Sequence, residues 1–360
     1  MTLTVKKIRC MQTRYFHYDQ EFELEKGGTL KGFTLAYYTA GTLNADQSNS
    51  VWVCHALTGN AEVEDWWTGL FGEGCLFNAE EHFVICANVL GSCYGSTGPL
   101  SMNPETGTPY YHDFPDITIR DIVRSLDLLR QHLQLVRINT LIGGSLGGQQ
   151  ALEWAVQQPE LMENLIVIGT NARHSPWGVA FNETQRLAIA ADPSWKESKE
   201  DAGADGLVAA RAIAMLSYRN YETYQKTQYE EDIEKSDDFR ASSYQVYQGK
   251  KLLNRFNAYS YWTLSKAMDS HNLGRGRGSV EEALKKVKAY TMVIGIVTDV
   301  LFPIIEQRFI ARHTDNVTYE EINSMYGHDG FLIETEKLTK GIQAFFKQKN
   351  RKKLIHDEGY

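Results

Sequence analysis

The fold of this chain is decided by the stretch Asn139-Thr140-Leu141-Ile142-Gly143-Gly144-Ser145-Leu146-Gly147-Gly148. Its first half is an apolar run typical of a buried strand, and its second half fits the pattern Gly-x-Ser-x-Gly. Glycines at these places let a strand turn sharply into a helix, so that the serine is held above the end of the strand. An amphipathic helix follows, and Pro159 ends it. The context predicts that Ser145 is a nucleophile, against the alternative of a plain turn between strand and helix.

Strand patterns alternate with helical patterns on both sides of this turn. Strands are predicted at residues 33–37, 51–54, 83–86, 165–168, 290–296 and 317–322. A helix is predicted after Thr118, and a closing helix places Leu338, Ile342 and Phe345 on one face. This rhythm predicts an α/β fold with a mostly parallel central sheet that is covered on both faces.

The rhythm changes between about residue 175 and about residue 287, where helical patterns follow one another and Tyr and Trp are frequent. The sequence therefore predicts three parts. They are a first part of the core at residues 1–174, a helical insertion at 175–287 and a second part of the core at 288–360.

The composition excludes a disordered chain and disfavours several classes of partner. The 360 residues are 42% hydrophobic, enough for a large core, and the net charge of −8 repels nucleic acid and anionic membranes. There is no apolar run of about 20 residues and no apolar signal segment, which predicts a cytoplasmic protein. The five cysteines show no metal-binding or disulfide spacing, so we expect reduced thiols and no metal site. We also expect no bound cofactor.

A serine nucleophile needs a base, usually a histidine that a carboxylate orients. In folds built on this turn the order along the chain is Ser, Asp, His. Asp299 follows the predicted strand 290–296, and His328 follows the last predicted strand, so both fall where the order requires them. The sequence predicts Ser145, Asp299 and His328 as a catalytic triad.

His55 is the serious alternative for the base, because it directly follows the strand 51–54. That position precedes the loop that supplies a backbone N–H to the oxyanion in such folds, so the better role for His55 is to shape this loop. The predicted oxyanion donors are the backbone N–H groups of Leu57 and Leu146.

Spaced motifs from roughly residue 15 to residue 345 resemble the homoserine O-acetyltransferase family. They include CHALTG (54–59), NVLG (88–91), GSTGP (95–99), TIRD (118–121), GGSLGG (143–148), SYR (217–219), YQG (247–249), MD (268–269), GRGRG (274–278) and GHD (327–329). The resemblance implies an α/β-hydrolase fold with a helical lid. It also implies acetyl-CoA as co-substrate, L-homoserine as acceptor, a ping-pong acyl-serine mechanism in methionine biosynthesis, and a homodimer joined through the lids.

The resemblance further implies two acceptor-binding residues. Arg219 matches an arginine expected to grip the amino-acid carboxylate with two hydrogen bonds, and its alternative is a surface ion pair with Glu222. Asp329 matches the aspartate beside the catalytic histidine and would pair with the acceptor's ammonium group. Its alternative is a cap on a helix that starts near Phe331.

Two departures from the family pattern leave other functions open. Ser92 replaces a usual glycine, and leucine and glutamine replace the usual methionines around Ser145. They leave a homoserine O-succinyltransferase and a serine O-acyltransferase as alternatives. A carboxylesterase and a non-catalytic binding module are more remote alternatives.

Overall fold

The computed structural model describes the backbone of residues 13–357 and the side chains of residues 13–349. The strands of this part are β1 (Arg14–Tyr18), β2 (Phe22–Glu23), β3 (Thr29–Leu30), β4 (Phe33–Ala40), β5 (Ser50–Cys54), β6 (Phe83–Ala87), β7 (Ile138–Gly144), β8 (Met162–Ile168), β9 (Tyr290–Ile296) and β10 (Val317–Ile322). Its α-helices are α1 (Val63–Trp66), α2 (Ile119–His132), α3 (Leu146–Gln157), α4 (Pro176–Ala190), α5 (Ala204–Tyr218), α6 (Tyr221–Thr227), α7 (Arg240–Leu253), α8 (Ala258–Asp269), α9 (Val280–Leu284), α10 (Ile304–His313), α11 (Gly330–Ile333) and α12 (Thr335–Asp357). Short 3₁₀ helices cover Tyr111–Asp113, Pro193–Lys196 and Gly327–Asp329.

Eight strands form one sheet in the order β1-β4-β6-β5-β7-β8-β9-β10. The pairs β1 with β4 and β4 with β6 are antiparallel, and the remaining pairs are parallel. The prediction of an α/β fold with a mostly parallel sheet is confirmed. Strand β1 and the separate hairpin of β2 and β3 were not predicted from the sequence.

Successive side chains of the central strands enter two different cores. Leu141 of β7 belongs to a cluster on one face of the sheet, and its neighbour Ile142 belongs to a second cluster on the other face. Helices α2 and α3 contribute to the first cluster, and the closing helix α12 contributes Leu338, Ile342 and Phe345 to the second. Strands covered on both faces must be apolar throughout, which explains their continuous hydrophobic runs.

Helices α4 to α8 follow β8 without an intervening strand. The chain leaves and re-enters the core through two segments that pair with each other. The backbone N–H of His174 donates to His271 O at 2.9 Å, and that of Leu273 donates to Ala172 O at 3.0 Å. Helix α5 packs against α4 and α7, and it also contacts the 3₁₀ helix Gly327–Asp329. This contact brings the helical segment to the edge of the sheet where Ser145 lies.

Within residues 13–357 no helix is long and apolar enough to cross a membrane. Cys54, Cys75, Cys86 and Cys93 are free thiols, and Cys10 lies outside the described residues.

Candidate active site

Ser145 occupies a strained turn between the end of β7 and the start of α3. Its backbone has φ of 57° and ψ of −126°, a left-handed φ that is unusual for a residue with a side chain. A side-chain carbon at Gly143 would lie 2.3 Å from the carbonyl oxygen of Gly147, so only glycine fits there. The close approach of these two glycines forces the turn, and the turn holds the serine hydroxyl above the sheet.

The structure brings Ser145, His328 and Asp299 together. His328 Nε2 lies 2.9 Å from Ser145 Oγ, and His328 Nδ1 lies 2.6 Å from Asp299 Oδ2. The other carboxylate oxygen, Asp299 Oδ1, accepts hydrogen bonds from the backbone N–H groups of Leu301 and Phe302, each at 2.8 Å. The carboxylate is thus fixed on both sides. It selects the histidine tautomer with its proton on Nδ1, which leaves Nε2 free to accept the serine proton.

Two opposing effects act on His328. Its burial alone would lower the pKa of the imidazole, but the charge and hydrogen bond of Asp299, helped by Asp329, outweigh burial and raise the pKa above its ordinary value. The ring is enclosed by Phe302, Phe331 and Tyr218, with ring centres 5.1, 5.2 and 5.9 Å away. This aromatic enclosure keeps bulk water from the imidazole.

Two backbone N–H groups near Ser145 have no hydrogen-bond acceptor among the described residues, those of Leu57 and Leu146. Leu146 is the first residue of α3, where helix geometry leaves the N–H unpaired. Leu57 lies in the 56–59 turn, closed by the hydrogen bond from Gly59 N to Ala56 O at 2.9 Å. Free N–H groups beside a nucleophile are what a developing oxyanion needs.

His55 holds the start of the 56–59 turn. Its Nδ1 donates to Ala56 O at 2.8 Å, and its Nε2 accepts the backbone N–H of Val89 at 3.1 Å. Burial lowers the pKa of His55 to about 4, so both ring nitrogens are engaged in a neutral, structural role. His55 therefore does not compete with His328 as a base.

Ser145 opens into a pocket of about 150 Å³, lined on its polar side by Arg211, Arg255, His328 and Asp329. Arg219 lies behind this wall, with Nη1 2.9 Å from Asp329 Oδ2. The surface pairing of Arg219 with Glu222 is therefore wrong. The capping role of Asp329 is wrong as well, because its side chain makes no cap hydrogen bond.

Arg211 is a pocket residue that sequence reasoning missed. It lies on α5, with its guanidinium 5.1 Å from the centre of the Tyr218 ring. Burial raises the pKa of Asp329, and the positive charge of Arg211 partly offsets this rise. Arg211 Nε is buried here without a hydrogen-bond partner, and Arg219 and Asp329 form an ion pair beside it. The signal available in the sequence was an arginine inside the apolar run of residues 207–216. Such a buried, incompletely paired cluster can bind a small charged ligand.

Among the described residues, no group of three or more His, Cys, Asp or Glu side chains could hold a metal ion. The side chains and backbone that line the site offer a serine hydroxyl, an imidazole and oriented N–H groups.

Comparison with known proteins agrees with this fold. The sequence matches the α/β-hydrolase-fold family over residues 49–335. It is 53% identical over 351 residues to a homoserine O-acetyltransferase of Cyclobacterium marinum, covering 97% of this chain and 100% of the relative. A crystal structure of homoserine O-acetyltransferase from Bacillus anthracis superposes with a TM-score of 0.85 at 27% identity, over 93% of this chain and 97% of that one. The structure of esterase E22, at 24% identity and a TM-score of 0.85 over 93% of this chain and 99% of that one, shares the fold.

Proposed function

The chain belongs to the homoserine O-acetyltransferase family, and from that premise we propose that it moves an acetyl group from acetyl-CoA to the hydroxyl of L-homoserine through an acetyl-Ser145 intermediate. The observation that carries the proposal is the continuous chain of contacts from Ser145 Oγ through His328 to Asp299. A hydroxyl is activated as a nucleophile when a neutral imidazole accepts its proton.

In the first half-reaction, His328 Nε2 takes the Ser145 proton as Oγ attacks the thioester carbonyl. The carbon–sulfur bond breaks, and the imidazolium returns the proton to the departing CoA thiolate. The N–H groups of Leu57 and Leu146 stabilise the negative oxygen that exists only during the transfer. In the second half-reaction, His328 takes the proton of the homoserine hydroxyl, which attacks the acetyl ester. Ser145 then recovers a proton from His328, and O-acetylhomoserine leaves.

The acceptor is held by charge complementarity. Asp329, next to the base, pairs with the ammonium group of homoserine, and Arg219 and Arg211 take its carboxylate. Arg211 has a buried Nε that lacks a hydrogen-bond partner, which supports a place for a ligand oxygen, and Arg219 is held beside it by its ion pair with Asp329. A pocket of about 150 Å³ holds only the reacting ends of the substrates, so most of CoA lies outside it.

Water, present at about 55 M, would hydrolyse an acetyl-serine ester unless it is excluded from the site. We propose that residues 175–287 act as the lid that excludes it. Tyr218 and Arg211, both from α5, contribute to the pocket wall, which supports this assignment. A homodimer joined through the lids and a cytoplasmic location belong to the same proposal.

The small pocket favours acetyl-CoA over the bulkier succinyl-CoA. Steady-state rates with both donors and both acceptors settle this choice, and a preference for succinyl-CoA would overturn the proposed donor. An esterase would hydrolyse acetyl-CoA faster than it transfers the acetyl group when homoserine is saturating.

The sharpest test of the intermediate is mass spectrometry of the protein mixed with acetyl-CoA alone. We expect an added mass of about 42 Da, that of one acetyl group, on the peptide that contains Ser145. Ser145→Ala should abolish the adduct, whereas Ser175→Ala, which alters a serine outside the triad, should retain it. An adduct on another residue, or none in the unaltered protein, contradicts the proposed mechanism.

A further inference from the structure

We infer that Arg255 is a positioning residue that fixes the 56–59 turn, and with it the Leu57 N–H, from the helical segment. The inference rests on the proposed function, because Arg255 affects catalysis only if the Leu57 N–H binds the oxyanion. Arg255 itself does not need to touch the reacting atoms.

The contacts of Arg255 join separate parts of the chain. The residue follows α7 and so belongs to the helical segment. Its Nη1 donates to the backbone carbonyl of Thr58 and to the hydroxyl of Tyr94, each at 2.6 Å. A guanidinium Nη1 carries two hydrogens, so both bonds form together. Thr58 and Tyr94 lie on two loops of the core, and one cation therefore ties both loops to the helical segment.

The 56–59 turn is held at both of its ends. At its first residue, Ala56 O accepts from the His55 ring and from Gly59 N. At its third residue, no donor other than Arg255 reaches Thr58 O in the described part of the chain. Leu57 lies between these two anchors. Loss of the second anchor frees the peptide planes around Leu57 to rotate, and an oxyanion donor works only if its N–H direction is fixed in advance.

The location of Arg255 also distinguishes this role from direct binding of the donor. The residue is exposed and lines both the pocket of Ser145 and a neighbouring cleft of about 570 Å³. That cleft is lined by the carboxylates of Glu200 and Asp201, whose negative charges would repel the phosphates of CoA. Nη1 is already used by two core acceptors, and the nearby carboxylates disfavour phosphates, so the structure favours positioning over recognition of the phosphates.

The experiment compares two acyl donors in the first half-reaction. Acetyl-CoA carries the nucleotide, whereas p-nitrophenyl acetate presents the same acetyl group without it. The burst of p-nitrophenol counts the active sites, so the rate per folded site is known even if a variant is partly unfolded. We expect Arg255→Ala to lower the acylation rate constant about 10- to 100-fold with both donors, with little change in either KM. Arg255→Lys, which retains one donor within reach, should recover part of the rate.

Two matched variants distinguish the loss of the Arg255 hydrogen bonds from the loss of a positive charge. Lys250→Ala removes an exposed cation from the same helical segment and should leave both rates unchanged. Tyr94→Phe removes one acceptor of Arg255 but keeps the bond to Thr58, and its effect should be smaller than that of Arg255→Ala.

Two results would overturn the inference. A loss confined to acetyl-CoA, seen as a raised KM with normal p-nitrophenyl acetate kinetics, would make Arg255 a CoA contact. Unchanged acylation of Arg255→Ala with both donors would remove any role for it. Neither result affects the proposed function, which fails instead if the unaltered protein shows no burst or if Ser145→Ala retains one.

Discussion

Gly147 lies so close to Cys54 that a side-chain carbon on Gly147 would stand 2.0 Å from the carbonyl oxygen of Cys54. This contact presses the first turn of α3 against the end of β5, the strand that leads into the 56–59 turn. The serine turn and the Leu57 N–H are therefore set by one backbone contact, which explains why glycine is required two residues after the nucleophile.

Gly147→Ala should destabilise the protein by about 4 kcal/mol or more, because backbone must move against backbone at a buried place. Gly107→Ala is the matched control. Gly107 has φ of 71° but open space around it, so its cost is only that of a left-handed alanine, about 1 kcal/mol. Urea unfolding followed by tryptophan fluorescence measures both free energies. Equal losses in the two variants would contradict the importance of the Gly147 contact.

Asp299→Asn should lower kcat by about 10³- to 10⁴-fold in a folded protein. The Asn oxygen would keep accepting the N–H groups of Leu301 and Phe302, which turns the NH₂ group towards His328 Nδ1. Nδ1 would then have to accept, and the ring proton would move to Nε2, where it faces Ser145. The measurement is the steady-state rate of acetyl transfer, with circular dichroism as the control for folding. A loss below about tenfold would show that Asp299 does not select the tautomer.

The structure explains which of these features the sequence could predict. Ser145 lies in a local pattern, and Asp299 and His328 follow strands whose carboxyl ends must meet at one edge of a parallel sheet. Arg211 and Arg255 could not be predicted in the same way, because their direction depends on how the helical segment folds over the core. Strand β1 was missed because only Phe16 among its five residues is buried, so the segment has no apolar run.

The rate of the first half-reaction should rise with pH through a pKa above the ordinary 6.5 of histidine, since His328 acts as a base only when neutral. Asp329 contributes to the raised pKa, so Asp329→Asn should move the acidic limb of the profile to lower pH. The measurement is kcat/KM for p-nitrophenyl acetate against pH, which avoids any effect of Asp329 on binding of homoserine. A limb that stays in place or moves to higher pH would contradict the assignment.

The free energy of unfolding should fall as the pH is lowered from about 6.5 towards 5. Burial lowers the pKa of His55 and His174 to about 4 and that of His271 to about 3, so these rings stay neutral in the folded chain. In the unfolded chain they bind protons near pH 6.5, and excess protons on the unfolded state reduce stability by up to about 1.4 kcal/mol per pH unit for each ring. His328 has a raised pKa, and burial raises the pKa of Glu306 to about 7, so both groups act in the opposite direction. We expect the three buried rings to outweigh these two groups.

Urea unfolding at several pH values between 7.5 and 5 measures this slope. His174→Gln keeps polar atoms near Asn182 and Gln149 but cannot titrate, so its slope should be shallower. A slope for His174→Gln that equals the slope of the unaltered protein would contradict a neutral His174 in the folded chain.

Arg211→Gln and Arg219→Gln should weaken the second half-reaction and spare the first. Each guanidinium is proposed to bond the acceptor carboxylate, and loss of a hydrogen bond to a charged group corresponds to about a 10- to 100-fold lower kcat/KM for homoserine. Acylation by p-nitrophenyl acetate does not involve the acceptor and should change less than about threefold. Arg173→Gln, an exposed arginine that does not line the Ser145 pocket, is the matched control and should leave both half-reactions intact. If only one of the two variants loses affinity for homoserine, that arginine alone binds the carboxylate. If neither does, the acceptor lies elsewhere in the cleft.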